Sequence, residues 1–239
     1  MIDSIQNDLG RPAIVHVPTY ERSRGDNVRL ALDALGLTVM PWQELALRQA
    51  MAVDAGDKWM AEHVALVIPW ERGKNDLVRL RELVGAAVLA ERIVHICHTH
   101  LSAEQRLREL IQTVESTPPF EHLITKVRYA HGDQGIDFQG GGSIRITGRG
   151  RTGPRGRSAD LLIVDDASRV TFSDAYRDML PVLVAAKDGP HVWWVDTQRD
   201  HPTGPPGPYA KLMAQALTPE AKPVLYLEWV STGTQQTKQ

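Results

Sequence analysis

Apolar residues fall along this chain in short, unbroken runs separated by amphipathic stretches. The runs at 64–68 (V-A-L-V-I), 92–97 (R-I-V-H-I-C), 161–164 (L-L-I-V), 191–195 (H-V-W-W-V) and 223–229 (P-V-L-Y-L-E-W) are too short for helices. Their continuity predicts strands covered on both faces. Between them, Val28, Leu32 and Leu35 repeat at helical spacing up to Gly36, and Pro41 opens a helix predicted to reach about Asp54. Leu77, Leu80, Val84, Ala87 and Val88 mark one face of a helix over 75–91. Ser102 and Gln105 are spaced as a capping box for the next helix, which ends near Glu115 before Pro118-Pro119. Helices are also predicted over 173–186, with a kink or break at Pro181, and over 209–217. Strands alternating with helices imply an α/β domain with a mostly parallel central sheet and helices on both faces. The stretch 126–148 reads as short antiparallel strands added at the edge. Residues 1–24 are expected to be irregular, 25–230 to form one domain, and 231–239 to be a polar, disordered tail.

The 239 residues are 42% hydrophobic, enough for a substantial core, and carry a net charge of −2. That balance gives no global nucleic-acid signature. The local exception is 145–157, with Arg145, Arg149, Arg151, Arg155 and Arg157 and no acidic residue. Cys97 is the one cysteine; it sits in an apolar run, which reads as core, excludes an internal disulfide and suits a reducing compartment. His98 and His100 alternate on an extended segment and so face opposite ways, which argues against a shared zinc. The N-terminus has no basic region followed by an apolar run, and no stretch approaches membrane-spanning length, so a soluble intracellular protein is expected.

Two stretches carry chemistry. The first is 64–75, V-A-L-V-I-P-W-E-R-G-K-N: a strand, a turn over Pro69, Trp70, Glu71, Arg72 and Gly73, then Lys74 and Asn75 at the mouth of a helix. Backbone N–H groups of such a turn face phosphates and the lysine adds a point charge. The usual G-x-x-x-x-G-K-[ST] is only partly matched, because the first glycine is missing and Asn75 replaces the hydroxyl. On spacing alone, a plain strand-to-helix turn is as good a reading. The second is 160–166, D-L-L-I-V-D-D, an apolar strand ending in Asp165 and Asp166. Ligands of open α/β sheets bind at that end of the strands. There a first acid organises Mg²⁺ and the next orients the attacking water; a helix cap would account for one acid but not two. Gln43, just upstream of the first stretch, reads either as an adenine-binding amide or as an exposed first-turn residue. Thr197 and Gln198, after the strand ending at Val195, are candidate sensors of the γ-phosphate. The order of these stretches predicts a P-loop NTPase of the additional-strand type.

With these landmarks in order, the chain resembles the ATPase domain of tailed-phage terminase large subunits, DNA-packaging motors, and most of all those of phages infecting actinobacteria. The resemblance rests on 36–43 (G-L-T-V-M-P-W-Q), 66–75, 91–100 (E-R-I-V-H-I-C-H-T-H), 135–146 (G-I-D-F-Q-G-G-G-S-I-R-I), 153–167 (G-P-R-G-R-S-A-D-L-L-I-V-D-D-A) and 192–194 (V-W-W). It implies ATP and Mg²⁺ as cofactors, with Gln43 reading adenine, Gly73 and Lys74 cradling phosphate, and Asn75 and Asp165 at the metal. Asp166 would stand at the catalytic-glutamate position and Arg155 as a finger toward a neighbouring subunit's nucleotide. Arg149, Arg151 and Arg157 are left between DNA contact and such a finger. Implied partners are double-stranded DNA, the portal protein, a small terminase subunit and a ring of like subunits on the portal. The isolated chain could still be monomeric, in the cytoplasm of an infected bacterium. Three positions depart from the family: Trp70 where an arginine is usual, Asp166 in place of glutamate, and V-D-T-Q in place of small hydroxyl residues at the coupling segment. They leave open a nucleotide-binding assembly module with weak turnover; a helicase-like translocase is the third reading. The chain ends where the family's nuclease linker would begin, so the expectation is either an isolated ATPase domain or a nuclease encoded as a separate chain, and in both cases no DNA cleavage by this polypeptide.

Overall fold

The computed structural model describes residues 9–130, 133–150, 156–197 and 224–230, together with 208, 209, 211 and 214. Its strands are β1 (Ile14–His16), β2 (Arg22–Ser23), β3 (Ala52–Val53), β4 (His63–Ile68), β5 (Arg92–Cys97), β6 (Ile124–Arg128), β7 (Gly135–Phe138), β8 (Ser143–Gly148), β9 (Leu161–Asp165), β10 (Val192–Thr197) and β11 (Val224–Glu228). The main helices are α1 (Val28–Ala34), α2 (Pro41–Ala50), α3 (Lys74–Leu83) and α4 (His100–Glu115), with a short α5 (Phe172–Asp174). Nine strands form one sheet in the order β1-β11-β4-β10-β9-β5-β8-β7-β6. β11, β4, β10, β9, β5 and β8 run parallel, and β1 at one edge and β7 and β6 at the other are antiparallel.

The unbroken apolar runs are explained by two-sided burial. Along β4, Val64, Leu66 and Ile68 enter one core, and Ala65 and Val67 enter the other; Trp193 and Trp194 of β10 divide the same way. The first core lies under α2, α3 and α4, the second under the segment 175–183. β10 is inserted between β4 and β9, with Thr197 level with Ile68 and Val195 level with Asp165. The C-terminal ends of the lysine-turn strand and the acidic strand therefore share one rim, with β10 between them.

Several local expectations are corrected. Residues 1–24 are not wholly irregular: β1 pairs with β11, and β2 pairs with β3 just beyond α2. That second pairing stops α2 at Ala50 instead of Asp54. β8 pairs parallel with β5, so only β6 and β7 of the 126–148 group are antiparallel additions. The cap of α4 is Thr99, not Ser102: Thr99 is extended and its Oγ1 accepts the Ser102 N–H at 3.0 Å. After Leu83 the helix widens into a π-helical turn, Val84–Val88. Gly85 lies within it, where a Cβ would come 2.3 Å from both Arg81 and Glu91. Those two side chains form a buried bidentate pair at 2.5 and 2.9 Å. Over 173–186 the chain passes from α5 through a π-helical turn (Ala175–Met179) to a 3-10 turn (Leu180–Leu183) at Pro181, since proline has no N–H to continue the ladder.

Candidate functional site

The turn after β4 is built by backbone conformations most side chains avoid. Glu71 has φ 56°, and Gly73, at the N-cap of α3, has φ 85°. Glycine is needed at 73, where a Cβ would also sit 3.3 Å from Gln43 Nε2 and 3.4 Å from Trp42. Lys74 follows as the first residue of α3, so the lysine stands beside the helix's unpaired N–H groups, a favourable place for an anion.

Lys74 Nζ donates to Asp165 Oδ1 at 2.5 Å, bridging 91 residues of sequence. The Asp166 N–H donates to the same oxygen at 3.0 Å. Burial pushes the Asp165 carboxyl up, but the charges of Lys74 and His95 and these two hydrogen bonds outweigh it and hold it below the ordinary aspartate value. Asp166 itself turns with φ 48°, a conformation aspartate tolerates better than most residues. Arg149, at the end of β8, steadies this turn: its Nη2 donates to the backbone carbonyls of Asp165 and, at 2.7 Å, of Asp166. Asp196 is buried at the end of β10 and accepts the Ser168 N–H at 2.5 Å and the Thr197 N–H at 2.7 Å. It thereby ties the segment after the acidic strand to the β10 rim.

Pro69, Trp70, Glu71, Arg72, Gly73, Lys74, Asn75, Asp165, Asp166 and Thr197 line a single cleft of about 890 Å³. Trp70 is 75% exposed at its lip. Gln43 is not among the lining residues. It is 3% exposed, its Oε1 accepts the Met40 N–H at 3.0 Å and its Nε2 lies 3.4 Å from the Gly73 carbonyl. The expected adenine reader thus braces the turn from behind, because its place at the third position of α2 directs the amide back to its own cap. Arg149, expected at DNA or a neighbouring subunit, is drawn inward; the Arg149 N–H pairs with the Cys97 carbonyl at 3.0 Å, which brings the side chain over the acidic rim. Arg157 lies 3.6 Å from Asp133, beside the ion pairs of Arg128 and Arg145 with Asp133 and Asp137. Arg151, Arg155 and Gln198 lie outside the described residues. Asp196 and the inward role of Arg149 were missed by motif spacing; an aspartate ending an apolar strand was the only signal for the former.

Among the described residues no three acidic, histidine or cysteine side chains gather to hold a metal, so any cation here would draw on single oxygens around the cleft. The two hydrogen bonds to the Asp165 side chain both fall on Oδ1, and the Asn75 amide and Thr197 hydroxyl on the same cleft are further oxygen donors. Magnesium takes such oxygens together with those of phosphate.

No family profile matches the sequence, and no curated protein matches it. Among solved structures, the chain is similar to the large terminase of bacteriophage HK97, with a TM-score of 0.58 and 18% identity. That match covers 74% of this chain and 38% of the HK97 chain, so this chain spans well under half of that protein. It is also similar to the large terminase ATPase domain of Thermus phage P74-26, with a TM-score of 0.50, 16% identity and coverage of 70% and 68%. The mixed α/β sheet described above is the fold of phage large terminase ATPase domains.

Proposed function

We propose that this chain is an ATP-hydrolysing motor domain of a phage genome-packaging terminase. It would couple Mg²⁺-ATP turnover to movement of double-stranded DNA into a procapsid, in the cytoplasm of an infected bacterium. The observation that carries the proposal is the meeting of Lys74 and Asp165 at 2.5 Å across the β10 strand, at the carboxyl ends of β4 and β9. Two stretches far apart in the chain meet where an open α/β sheet binds its ligand.

In this reading the N–H groups of the turn and of α3 hold the β- and γ-phosphates, and Lys74 moves from Asp165 to a phosphate oxygen. Asn75 and Asp165 would hold Mg²⁺, which when bound neutralises charge developing on the phosphates, with Thr197 as the γ-phosphate sensor. Asp166 orients the attacking water, its carbonyl and that of Asp165 fixed by Arg149. Arg155, with Arg151 and Arg157 nearby in sequence, is proposed to face DNA or the neighbouring nucleotide in a ring assembled on the portal with the small subunit.

The test is ATP turnover by the purified chain, with and without double-stranded DNA. Lys74→Ala is expected to abolish nucleotide binding, and Asp165→Ala and Asp166→Asn to abolish turnover. Unchanged binding and hydrolysis in all three variants would contradict the proposal. A nucleotide-binding assembly module with little turnover is favoured by one feature, the short Asp166 side chain. Tight ATP binding with no DNA-stimulated hydrolysis would select it.

A further inference from the structure

Beside the phosphate turn, reaching the same cleft through Arg106 and Glu109, lies a run of charges that no motif accounts for. Arg106 of α4 is 6% exposed, and its Nη2 donates to the backbone carbonyl of Asn75 at 2.6 Å. The same guanidinium lies 3.6 Å from Glu82 and 3.5 Å from Glu109. Glu82, fully buried in α3, is 2.7 Å through Oε1 from Nδ1 of His95 in β5. Arg106 Nε and Nη1 make no hydrogen bond among the described residues. Three elements are thus joined by charge, and the run ends on the first turn of the helix that carries Lys74 and Asn75.

Stability alone does not explain this arrangement. Buried ion pairs rarely outperform apolar side chains of similar volume, because taking charges out of water costs as much as their attraction returns. Here apolar residues lie on either side: Leu107 and Leu110 of α4, and Val78 and Leu83 of α3, are all buried in the first core. A charged strap in that setting gives directional control of one carbonyl, which a leucine could not give. Burial disfavours the His95 charge, but Cys97 and Glu82 more than compensate and push it up to about 10. Glu82 is held low, against its own burial, by His95 and then Arg106. The anchor therefore keeps its charges at neutral pH.

We infer that Arg106 is a positioning residue for the nucleotide site: by holding the Asn75 carbonyl it sets where the side chains of Lys74 and Asn75 stand relative to Asp165, with the Glu82–His95 pair holding Arg106 in turn. The inference rests on the nucleotide-site reading above. Partners one layer behind a metal site are worth about 10–100-fold in affinity or activity. Arg106→Gln is expected to weaken ATP binding roughly tenfold and to raise the Mg²⁺ concentration at half-saturation by a similar factor. Arg106→Lys, which keeps the charge and one donor, is expected to recover part of both.

Nucleotide affinity is measured by titration with ATP at several Mg²⁺ concentrations, alongside the melting temperature. Because Arg106→Gln leaves Glu82 with one partner fewer, the triple variant Arg106→Met/Glu82→Gln/His95→Gln removes the whole buried charge run. It is expected to melt closer to the wild type than Arg106→Gln does while retaining the affinity and Mg²⁺ defects. A triple variant that regains wild-type affinity and Mg²⁺ dependence overturns the inference, as does Arg106→Gln binding within twofold of wild type. Failure of the wild-type chain to bind ATP at all would instead overturn the nucleotide-site reading, and this inference with it.

Discussion

Arg149 reaches across from the end of β8 to hold the backbone carbonyls of both Asp165 and Asp166. The side chains of that pair line the cleft, while their peptide oxygens are fixed by a guanidinium from the same chain. Burial lowers the Arg149 pKa against the surrounding charges of Asp166, Asp165, Asp196 and Asp174, yet an arginine stays protonated near neutral pH.

On the proposed function, removing this clamp should separate chemistry from binding. In Arg149→Ala the Lys74 turn is untouched, so ATP affinity is expected to stay within about threefold. Turnover is expected to fall by on the order of a hundredfold, the cost of misplacing a reacting group by about 1 Å. Steady-state kinetics beside equilibrium ATP binding check this; a parallel loss of both would mean that Arg149 supports the fold and not the aspartate turn.

Asp196 makes a different prediction. Its two oxygens satisfy the N–H groups of Ser168 and Thr197 in a buried setting. Asp196→Ala leaves both amides without that acceptor, at about 1–3 kcal/mol for each one left unpaired. The loss is read from denaturant unfolding, and Asp196→Asn, which can serve only one of the two amides as an acceptor, is expected to fall between.

Glu91→Ala should be the most damaging of these substitutions to the fold. It strands Arg81, which is fully buried, pairs with Glu91 through two hydrogen bonds and packs over the rings of Trp59 and Trp193. Breaking one side of a buried pair costs about 3–5 kcal/mol. Glu91→Ala is therefore expected to lower the unfolding midpoint far more than Glu62→Ala at the surface.

Two buried histidines give stability opposite pH slopes. Burial and the nearby Arg81 charge lower the pKa of His191 well below 6.5, and it stacks on Trp59 at 4.3 Å. The unfolded chain protonates this histidine as pH falls through about 6.5 and the folded chain does not, so its contribution is present above that value and lost below it. His95 has the reverse sign. Burial opposes its charge, but Cys97 and Glu82 raise it to about 10, so its contribution is whole below about 6.5 and lost as pH rises towards 10. Unfolding free energy is expected to peak near pH 6.5, with His191→Phe flattening the acid limb and His95→Gln/Glu82→Gln the alkaline one. A wild-type profile without a fall on the acid side would contradict the His191 assignment, and one without a fall on the alkaline side the His95 assignment.

The core of the sheet was legible because strands covered on both faces cannot hide their composition: V-A-L-V-I, L-L-I-V and V-W-W-V admit no polar side. The lysine turn and the paired aspartates were legible for a related reason, since polar residues directly following such runs can only lie on the rim. Half-covered and very short elements were not. The alternation in S-I-R-I-T-G suits an antiparallel strand, but β8 alternates because its polar side chains are only half-buried, and it runs parallel to β5. Three residues, I-V-H, carry too little pattern to announce β1. Which arginine of R-I-T-G-R-G-R turns inward depends on the register of β8 against β5, and local sequence does not contain that register. Gln43 illustrates the same limit: its spacing suited a ligand, but its own helix cap claimed one end of the amide.

The pairing of Ile14–His16 with β11 has a practical side. These three residues occupy the outer hydrogen-bonding row of a strand that continues directly into the interior of the sheet through β4. Trimming the chain past them, or fusing a bulky tag hard against them, would bare a ready-made template for strand addition. Such a protein would lose its monodispersity, and trimming would also remove the Gly10 carbonyl that accepts the buried Trp229 indole N–H, so a purification handle is better placed away from residue 14.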